Sequence, residues 1–365
     1  MRSTGTSAPS ALTSRIRRTR RTRWGGTLVA AAGLMVLVAC APTPTDGEQL
    51  GMWPPRGTGA QVIDTHWWTM LIIGGAVWVI VTVMLIATMI RRRQDPKGDG
   101  RRGPLFVAVA GAVIPGVIVA GVMAQAVVVL QQTNPLDDDG ETVIEVTGHK
   151  FWWEVEYPEE GVVTANEIHI PTGQRVRLEL TAADVIHSVW VPQLGGKTDM
   201  VPGHANSMWL ETDEPGQYWG QCAEYCGVQH AQMRFLVIAH EPEEYQSWLA
   251  HHSQAAEDGQ LPAAEGAEIT EEEELIAWGR EVFMSSSCVY CHAVQGTEAQ
   301  GEFGPDLTHM ASRETIGAGI LPNNPGNMAA WVVDPQSIKP GNEMPGTDLD
   351  GPELQALLAY LESLE

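Results

Sequence analysis

Two long apolar stretches place the strongest constraint on this chain. They run roughly over residues 67–90 and 104–130, and each is long enough to span a bilayer as a helix. The short loop between them carries six basic residues, which are Arg91, Arg92, Arg93, Lys97, Arg101 and Arg102. Because basic loops stay in the cytoplasm, we predict a transmembrane hairpin over residues 61–131 with both ends facing outward. Everything after residue 130 is then extracytoplasmic.

The N-terminus has the features of an export signal. Six arginines between residues 15 and 23 precede a short apolar run that ends in L-V-A-C at Cys40. This order predicts a signal peptide over residues 1–39. The ending resembles the lipobox of bacterial lipoproteins, in which the cysteine is lipidated, so Cys40 is a candidate lipidation site. A plain signal peptide is the alternative. Either way, we expect a protein of a bacterial cytoplasmic membrane, in contact with lipid.

Charge is divided unevenly along the chain. Residues 1–134 hold 14 Lys and Arg against 5 Asp and Glu, whereas residues 135–365 hold 8 against 40. The acidic part would repel phosphate, which argues against nucleic acid as a partner. Such a surface suits a basic protein partner, although it also serves solubility alone.

Three regions follow the hairpin. Residues 140–250 contain short runs of alternating apolar and polar residues between Pro and Gly turns, which predicts an all-β sandwich or barrel. Residues 251–267 are rich in Ala, Gln, Gly and acids and predict a linker. Thr270 and Glu273 have capping-box spacing, and leucines line one face of a helical pattern near the C-terminus. We therefore predict a small helical domain over residues 268–365.

The densest set of metal-binding side chains lies within twelve residues. Cys222, Cys226, His230 and Met233 offer thiolate, imidazole and thioether ligands, and His187 at the end of a strand-like run can complete the set. Two cysteines with two histidines can also bind zinc, and the cysteines can form a disulfide. The methionine argues against zinc, and a disulfide would leave the histidines without a role. Two thiolates can instead bridge two copper ions.

A second motif, C-V-Y-C-H, occupies residues 288–292. Cys288 and Cys291 can form two thioether bonds to a haem, and His292 can bind its iron. A predicted helix precedes the motif, and G-P-D-L and I-K-P-G-N-E-M-P-G follow it. The pattern predicts a covalently attached c-type haem in the helical domain.

The first motif, C-x-E-x-C-x-x-x-H-x-x-M with an upstream histidine, resembles the copper A motif of cytochrome c oxidase subunit II. The resemblance covers roughly residues 61–250 and implies a cupredoxin-like β domain with a dinuclear copper A centre. In that family two cysteines bridge the coppers, a histidine caps each one, and a methionine and a glutamate carbonyl are further ligands. These roles fall on His187, Cys222, Glu224, Cys226, His230 and Met233. The side chain of Glu224 is further implied to help hold a magnesium ion against subunit I.

Two segments depart from many members of that family. Residues 151–153, F-W-W, resemble its electron-receiving patch, which implies electron transfer through Phe151, Trp152 and Trp153. Many members have Trp where this chain has Phe151. In the second apolar stretch, Ala108 stands where many relatives carry a glutamate near a proton-uptake route. Either another group serves that purpose here or the route differs.

The haem motif and its surroundings are similar to a class I cytochrome c domain. This similarity implies that Met344 is the distal ligand of the iron and that Pro305 borders His292, with Met310 as the main competitor of Met344. Other histidines belong to neither motif and are expected on the surface, among them His204, His251 and His252.

Together the two resemblances imply a multidomain subunit II of a caa-type cytochrome c oxidase, an oxidoreductase. Such a subunit passes electrons from a cytochrome c or a quinol:cytochrome c reductase, through its haem and copper A, to subunit I. There oxygen is reduced to water with proton pumping, and subunit III is a further expected partner. A copper A-containing nitric oxide reductase subunit is the alternative, and the catalytic site of the partner decides between them. A quinol oxidase subunit would lack the copper ligands, and a copper-delivery lipoprotein would not need the haem motif.

Overall fold

The computed structural model describes residues 50–91, 102–134, 142–255 and 269–365. The predicted signal peptide with Cys40, the greater part of the basic loop and most of the predicted linker lie outside these residues. The expectations for those segments therefore stay predictions.

Two apolar helices confirm the spanning segments of the predicted hairpin. In chain order they are formed by α1 (Thr58–Arg91) and by α2 (Arg102–Ala108), a π-helical turn (Val109–Val113) and α3 (Ile114–Thr133). Both are long and apolar enough to cross a membrane, and their apolar side chains are exposed. Pro115 has no backbone N–H to donate to the carbonyl of Gly111, and the π-helical turn lies directly before this proline.

The region after the hairpin is a sandwich of two five-stranded sheets. One sheet has the order β3–β2–β1–β5–β8 and the other has the order β4–β10–β9–β6–β7. The strands are β1 (Thr142–His149), β2 (Trp152–Tyr157), β3 (Val162–Ala165), β4 (Glu167–Pro171), β5 (Val176–Ala182), β6 (His187–Trp190), β7 (Lys197–Met200), β8 (Asn206–Leu210), β9 (Gly216–Cys222) and β10 (Arg234–His240). β1 pairs in parallel with β5, and β4 pairs in parallel with β10. Of the two predicted alternatives, the fold is thus a sandwich and not a barrel.

The core of this β domain follows the alternation seen in the sequence. Val176, Leu178 and Leu180 on β5 are fully buried, while the side chains between them are at least partly exposed. Helix α4 (Pro242–His252) closes one side of the sandwich and packs on β4 and β10. Because α4 continues to residue 252, the predicted linker begins at least two residues later than residue 251.

The C-terminal region is a small helical domain with one short β ribbon. Its elements are α5 (Glu271–Ser285), a 3₁₀ turn (Ser287–Tyr290), β11 (Thr315–Ile316), β12 (Leu321–Pro322), α6 (Pro325–Val333), α7 (Pro335–Ile338) and α8 (Gly351–Ser363). The capping box predicted for α5 is present, because Thr270 and Glu273 each accept a hydrogen bond from the other's backbone N–H. Helices α5 and α8 pack together, with 5.6 Å between the ring centres of Phe283 and Tyr360.

Candidate copper and haem centres

The predicted copper ligands converge at one end of a single sheet. His187 begins β6, and Cys222 ends β9, which is hydrogen-bonded to it. The chain then turns through Cys226 and a short 3₁₀ helix that starts at His230, and it reaches Met233 just before β10. The pairing of β6 with β9 therefore brings His187 next to Cys222, which lies 35 residues later in the sequence, and next to the ligand loop that follows.

The side chains in this loop are close enough to share a small metal cluster. The Sγ atoms of Cys222 and Cys226 are 3.8 Å apart, and Nδ1 of His187 is 4.0 Å from Cys222 Sγ. Nδ1 of His230 and the sulfur of Met233 are 3.9 Å and 3.7 Å from Cys226 Sγ. Among the described residues, His187, Cys222 and Cys226 form a group whose ligand atoms lie within 4.8 Å of one another. All three are buried, and the donor set suits copper better than a hard cation.

The two thiols are free and lie close enough to share a hydrogen bond. Their 3.8 Å separation is far beyond a sulfur–sulfur bond, so the structure does not contain the alternative disulfide. The hydrogen bond shared with Cys226 lowers the pKa of Cys222, and His187 lowers it further. The same interaction raises the pKa of Cys226. Both thiols must ionise to bridge two metal ions, and a bound cation would supply the missing charge compensation.

Asp184, which the motif alone does not reveal, orients His187. Its carboxylate oxygen lies 2.9 Å from Nε2 of His187, so this nitrogen donates and Nδ1 faces the sulfurs with its lone pair. Burial alone would lower the pKa of His187, but hydrogen bonds to Cys222 and Asp184 raise it above the ordinary value. Gly148 on β1 leaves room for the ring, because a Cβ there would stand 2.9 Å from it.

Glu224 presents its two polar groups to different surroundings. Its backbone carbonyl lies 3.1 Å from the Sγ atom of Cys222, within the ligand loop. Its carboxylate is 43% exposed and lies 3.8 Å from Nζ of Lys197. The carbonyl therefore belongs to the candidate copper centre. The carboxylate is exposed at the surface, beside Lys197.

The three aromatic residues of the F-W-W segment are buried in the β domain. Trp153 is 1% exposed, and its ring meets that of His187 edge-on, with 6.0 Å between centres. Phe151 lies against Gly227, where a Cβ would stand 3.0 Å from its ring. Trp152 stacks on His149 at 4.3 Å. Trp153 therefore contacts a candidate ligand and Phe151 contacts the ligand loop, whereas Trp152 packs away from the ligands against His149 and Ala318.

The helical domain contains a cavity of about 340 Å³ that is lined by both cysteines and the histidine of the haem motif. Cys288, Cys291 and His292 line one side, and Met344 lines the cavity as well. The β domain contributes part of the cavity wall, through Lys150, Phe151, Trp152 and Asn166. The donor set and the apolar wall fit a covalently attached haem.

His292 is held in the orientation that an axial ligand needs. Its Nδ1–H donates to the carbonyl of Pro305 at 2.7 Å, which leaves Nε2 as the free ligand atom. Burial lowers the pKa of His292 and so favours the neutral ring. Gly304 packs flat against that ring, because a Cβ there would stand 2.7 Å from Cε1. Pro305 thus borders His292 as the resemblance implied.

Two methionines named as distal candidates both line the cavity. Met310 is 7% exposed, and its sulfur already receives an N–H contact from the guanidinium of Arg313 at 4.0 Å. Met344 lies on the loop after α7, where Asn342 and Gln336 bond its backbone. Hydrogen bonds from side chains therefore fix the backbone that carries Met344. The sulfur of Met310 is already in contact with Arg313.

The histidines outside both motifs were expected at the surface, and that prediction was wrong for His169, His309 and His252, which are buried. The surroundings of His252 are typical. Its ring stacks on Trp248 at 4.3 Å and lies 4.5 Å from the ring of His309, and it is 6% exposed. His204 and His251 are exposed as expected. The pattern Tyr245, Leu249, His252 has helical spacing and could have placed His252 on the buried face of α4.

Known proteins resemble both halves of the described chain. The family described as cytochrome C oxidase subunit II, periplasmic domain, matches residues 161–240, and cytochrome c matches residues 276–365. Cytochrome c oxidase subunit 2 of Alkalihalophilus pseudofirmus is 39% identical, covering 87% of this chain and 92% of the relative. The Bacillus subtilis protein of that name is 33% identical, covering 78% and 83%. The crystal structure of the periplasmic domain of subunit II of Bradyrhizobium japonicum cytochrome oxidase is 29% identical over 32% of this chain and 95% of that one, with a TM-score of 0.31.

The matches fall on the domains that carry the two ligand sets. The subunit II domain implies a copper A centre, and the cytochrome c domain implies a haem. With its two apolar helices, the chain is a membrane-anchored protein with an extracytoplasmic part, and it functions in an oxidoreductase. Given the identity and coverage of these relatives, the chain belongs to the cytochrome c oxidase subunit 2 family, in a form that carries its own C-terminal cytochrome c domain.

Proposed function

We propose that the chain is the electron-input subunit of a caa-type terminal oxidase. In this proposal electrons pass from an external cytochrome c, or directly from a quinol:cytochrome c reductase, to subunit I, where oxygen is reduced to water and protons are pumped. One observation carries the proposal: Phe151 lines the haem cavity and also lies against Gly227 in the copper-ligand loop. One buried side chain thus contacts both the haem cavity and the copper-ligand loop.

The proposed copper A centre uses the six residues of the ligand loop and β6. Cys222 and Cys226 would bridge two copper ions, and His187 and His230 would each cap one through Nδ1, the nitrogen that faces the sulfurs. The thioether of Met233 and the carbonyl of Glu224 would be the remaining, weaker ligands. Burial of the thiols and the histidine keeps water from competing for these positions.

The proposed haem site uses the C-V-Y-C-H motif. Cys288 and Cys291 would form the two thioether bonds, and Nε2 of His292 and the sulfur of Met344 would be the axial ligands. When bound, the haem and the two coppers supply sites that take up and release single electrons. The residues of the chain hold these sites rigidly: Pro305 and Gly304 fix the ring of His292, and Asp184 fixes that of His187.

The protein partners follow from the same arrangement. We propose that the ligand-loop surface with Glu224 faces subunit I, where its carboxylate would help hold a magnesium ion. Subunit III is a further proposed partner. The acidic extracytoplasmic part favours a basic donor protein. The relatives are cytochrome c oxidase subunits, which favours oxygen over nitric oxide as the final acceptor.

The proposed topology places both termini and both redox domains outside the cytoplasm. The basic loop between the two apolar helices supports this orientation. Cys40 would be lipidated after removal of residues 1–39. Mass spectrometry of the mature N-terminal peptide tests this, since a lipidated cysteine at the first position supports it and an unmodified later start contradicts it.

Spectroscopy of the complete, loaded oxidase tests the proposed cofactors. We expect the optical spectrum of a c-type haem that survives acid extraction, and an EPR signal from one unpaired electron shared by two copper nuclei. Cys226→Ser should abolish the shared-electron signal and leave the haem spectrum unchanged, while Cys291→Ser should alter the covalent haem and leave the copper signal. A wild-type complex with only one of the two signatures would contradict the proposal.

A further inference from the structure

The helical domain meets the β domain through a loop with an unusual backbone. Residues 317–319 have φ angles of 65°, 62° and 74°, all in the left-handed region that side chains disfavour. Ala318 nevertheless occupies this conformation, is 1% exposed and clusters with Trp152 of the β domain. A Cβ on Gly319 would stand 2.9 Å from Cβ of Arg234. The loop is therefore shaped to lie directly against the other domain.

One lysine of the helical domain is buried in this contact. Lys339 is 2% exposed, and its ammonium donates to the carbonyl of Phe151 at 2.9 Å and to that of Gly317 at 3.0 Å. The carbonyl of the next residue, Pro340, accepts a hydrogen bond from Gln229 in the copper-ligand loop. Lys339 thus joins its own domain to Phe151, the residue that contacts both the haem cavity and the copper-ligand loop.

A glutamate of the β domain is buried in the same contact, with the opposite charge. Glu167 is 1% exposed, and one carboxylate oxygen accepts hydrogen bonds from the backbone N–H groups of Glu314 at 2.8 Å and Thr315 at 3.0 Å. Arg313, the preceding residue of that loop, is buried as well. Each domain therefore sends one buried, ionisable side chain to backbone groups of the other. Burial lowers the pKa of Lys339 to about 7 and raises the pKa of Glu167 to about 7.

Such groups determine orientation more than they determine affinity. Removing a charge from water offsets most of what its new hydrogen bonds return, so the net stabilisation from Lys339 and Glu167 is small. Any other arrangement of the two domains that kept the contact closed would take the carbonyl of Phe151 from Lys339 and both backbone N–H donors from Glu167, which is unfavourable for enclosed ionisable groups. Two such groups at separate points of the contact select one orientation.

We propose that Lys339 and Glu167 are positioning residues for electron transfer within the chain. They hold the helical domain in one orientation on the β domain, with the haem cavity closed by Phe151 and next to the copper-ligand loop. This inference rests on the proposed function, because it concerns the path between the two centres. It adds two residues that belong to neither ligand set.

Amide hydrogen exchange in the complete, loaded oxidase tests the inference. The amide of Arg234 donates across the contact to the carbonyl of Ala318 at 3.1 Å, a bond that involves neither proposed positioning residue. Lys339→Met leaves two buried carbonyls without their donor, and Glu167→Gln removes the charge that two buried N–H groups bind. Because a buried polar group left without a good partner costs more than the intact hydrogen bond contributes, each change should raise exchange at Arg234 by roughly 10- to 100-fold. Glu211→Gln, at a carboxylate of the same domain paired with an arginine outside this contact, should leave it unchanged.

Three further readouts separate positioning from folding. In both variants the amides of Val282 and Phe283 in the core of the helical domain should keep their protection, and the optical and EPR spectra should stay unchanged. The rate at which the copper centre receives electrons from the haem of the same molecule should fall. Gly319→Ala should give the same three results without removing a charge, because its Cβ would meet Arg234.

The outcomes that overturn the inference are distinct from those that overturn the proposed function. Unchanged exchange at Arg234, or raised exchange with an unchanged transfer rate, would show that the two residues do not position the domains. Raised exchange at Val282 and Phe283 would assign them to folding instead. A wild-type complex without the haem or copper signature would refute the proposed function, while exchange at Arg234 would still decide whether the two residues hold the domains together.

Discussion

Asp184 accepts a hydrogen bond from Nε2 of His187, with 2.9 Å between oxygen and nitrogen, and so aims Nδ1 of that histidine at Cys222. We expect Asp184→Asn to weaken copper binding by about 10- to 100-fold, because partners of ligand histidines set both ring orientation and basicity. Competition with a copper chelator measures this affinity. The control is Asp199→Asn, at a half-exposed aspartate on β7. Equal copper affinity of the Asp184 variant and the wild type would show that Asp184 does not support copper binding through His187.

A comparable prediction concerns Gly304 in the candidate haem site. Its Cα lies so close to His292 that a Cβ would stand 2.7 Å from the ring. Gly304→Ala should therefore displace the ring from the carbonyl of Pro305 and weaken its hold on the iron. The measurement is the haem spectrum of the reduced protein with added carbon monoxide, which binds only where an axial ligand is displaced. Gly351→Ala is the control, since nothing lies within 4 Å of its Cβ. No difference between the two variants would contradict the assigned role of Gly304.

Packing between α5 and α8 depends on a single glycine. A Cβ on Gly279 would clash with the backbone carbonyl of Ala356, so the two helices touch at this point. Gly279→Ala should lower the stability of the helical domain by about 1–3 kcal/mol, because overpacking outweighs the better helix propensity of alanine. Gly326→Ala in α6, where the added Cβ makes an ordinary contact, should raise stability by about 0.5–1 kcal/mol. Thermal unfolding of both variants measures the pair, and a stabilising Gly279→Ala would show that the helices can separate freely.

His252 introduces a pH dependence of stability on the acidic side. Burial, followed by the nearby His309, lowers the pKa of His252 to about 3. The unfolded chain, with its ordinary pKa near 6.5, then binds one more proton than the folded chain between these values. The contribution of His252 is complete above about pH 6.5 and falls by up to about 1.4 kcal/mol per pH unit as the pH drops toward 3.

The variant His252→Gln should therefore show a shallower loss of stability between pH 6.5 and 4 than the wild type. Denaturant unfolding at a series of pH values measures the slope. His251→Gln, at the exposed neighbour, should leave the slope as it is. A His252 variant with the wild-type slope would mean that the ring accepts a proton without leaving its place.

Most members of the two candidate ligand sets could be predicted to lie together because they are concentrated in short motifs. Cys222, Cys226, His230 and Met233 lie within twelve residues, and the structure brings them within 4 Å of their neighbours in the cluster. His187 was predicted from its place at the end of a strand-like run, and the pairing of β6 with β9 supplies the contact. Short separations and regular strands leave few other arrangements.

The contact between the two domains could not be predicted in the same way. Lys339 and Phe151 are separated by 188 residues, and Glu167 and Thr315 by 148. In the sequence, Lys339 lies in a Pro- and Gly-rich turn and Glu167 begins a short strand, places where charged residues usually face water. Only the packing of two folded domains buries them. His252 differs, because its helical spacing with Leu249 was a usable signal.

The central claim is that electrons pass from the haem domain to the copper centre within one chain. The most direct measurement reduces the haem rapidly in the complete oxidase and follows the optical signal of the copper centre at a series of protein dilutions. If electrons pass within one chain, the copper reduction rate does not change with dilution, because both centres belong to the same molecule. A rate that falls in proportion to protein concentration, or a copper signal that stays oxidised while the haem is reduced, would contradict it.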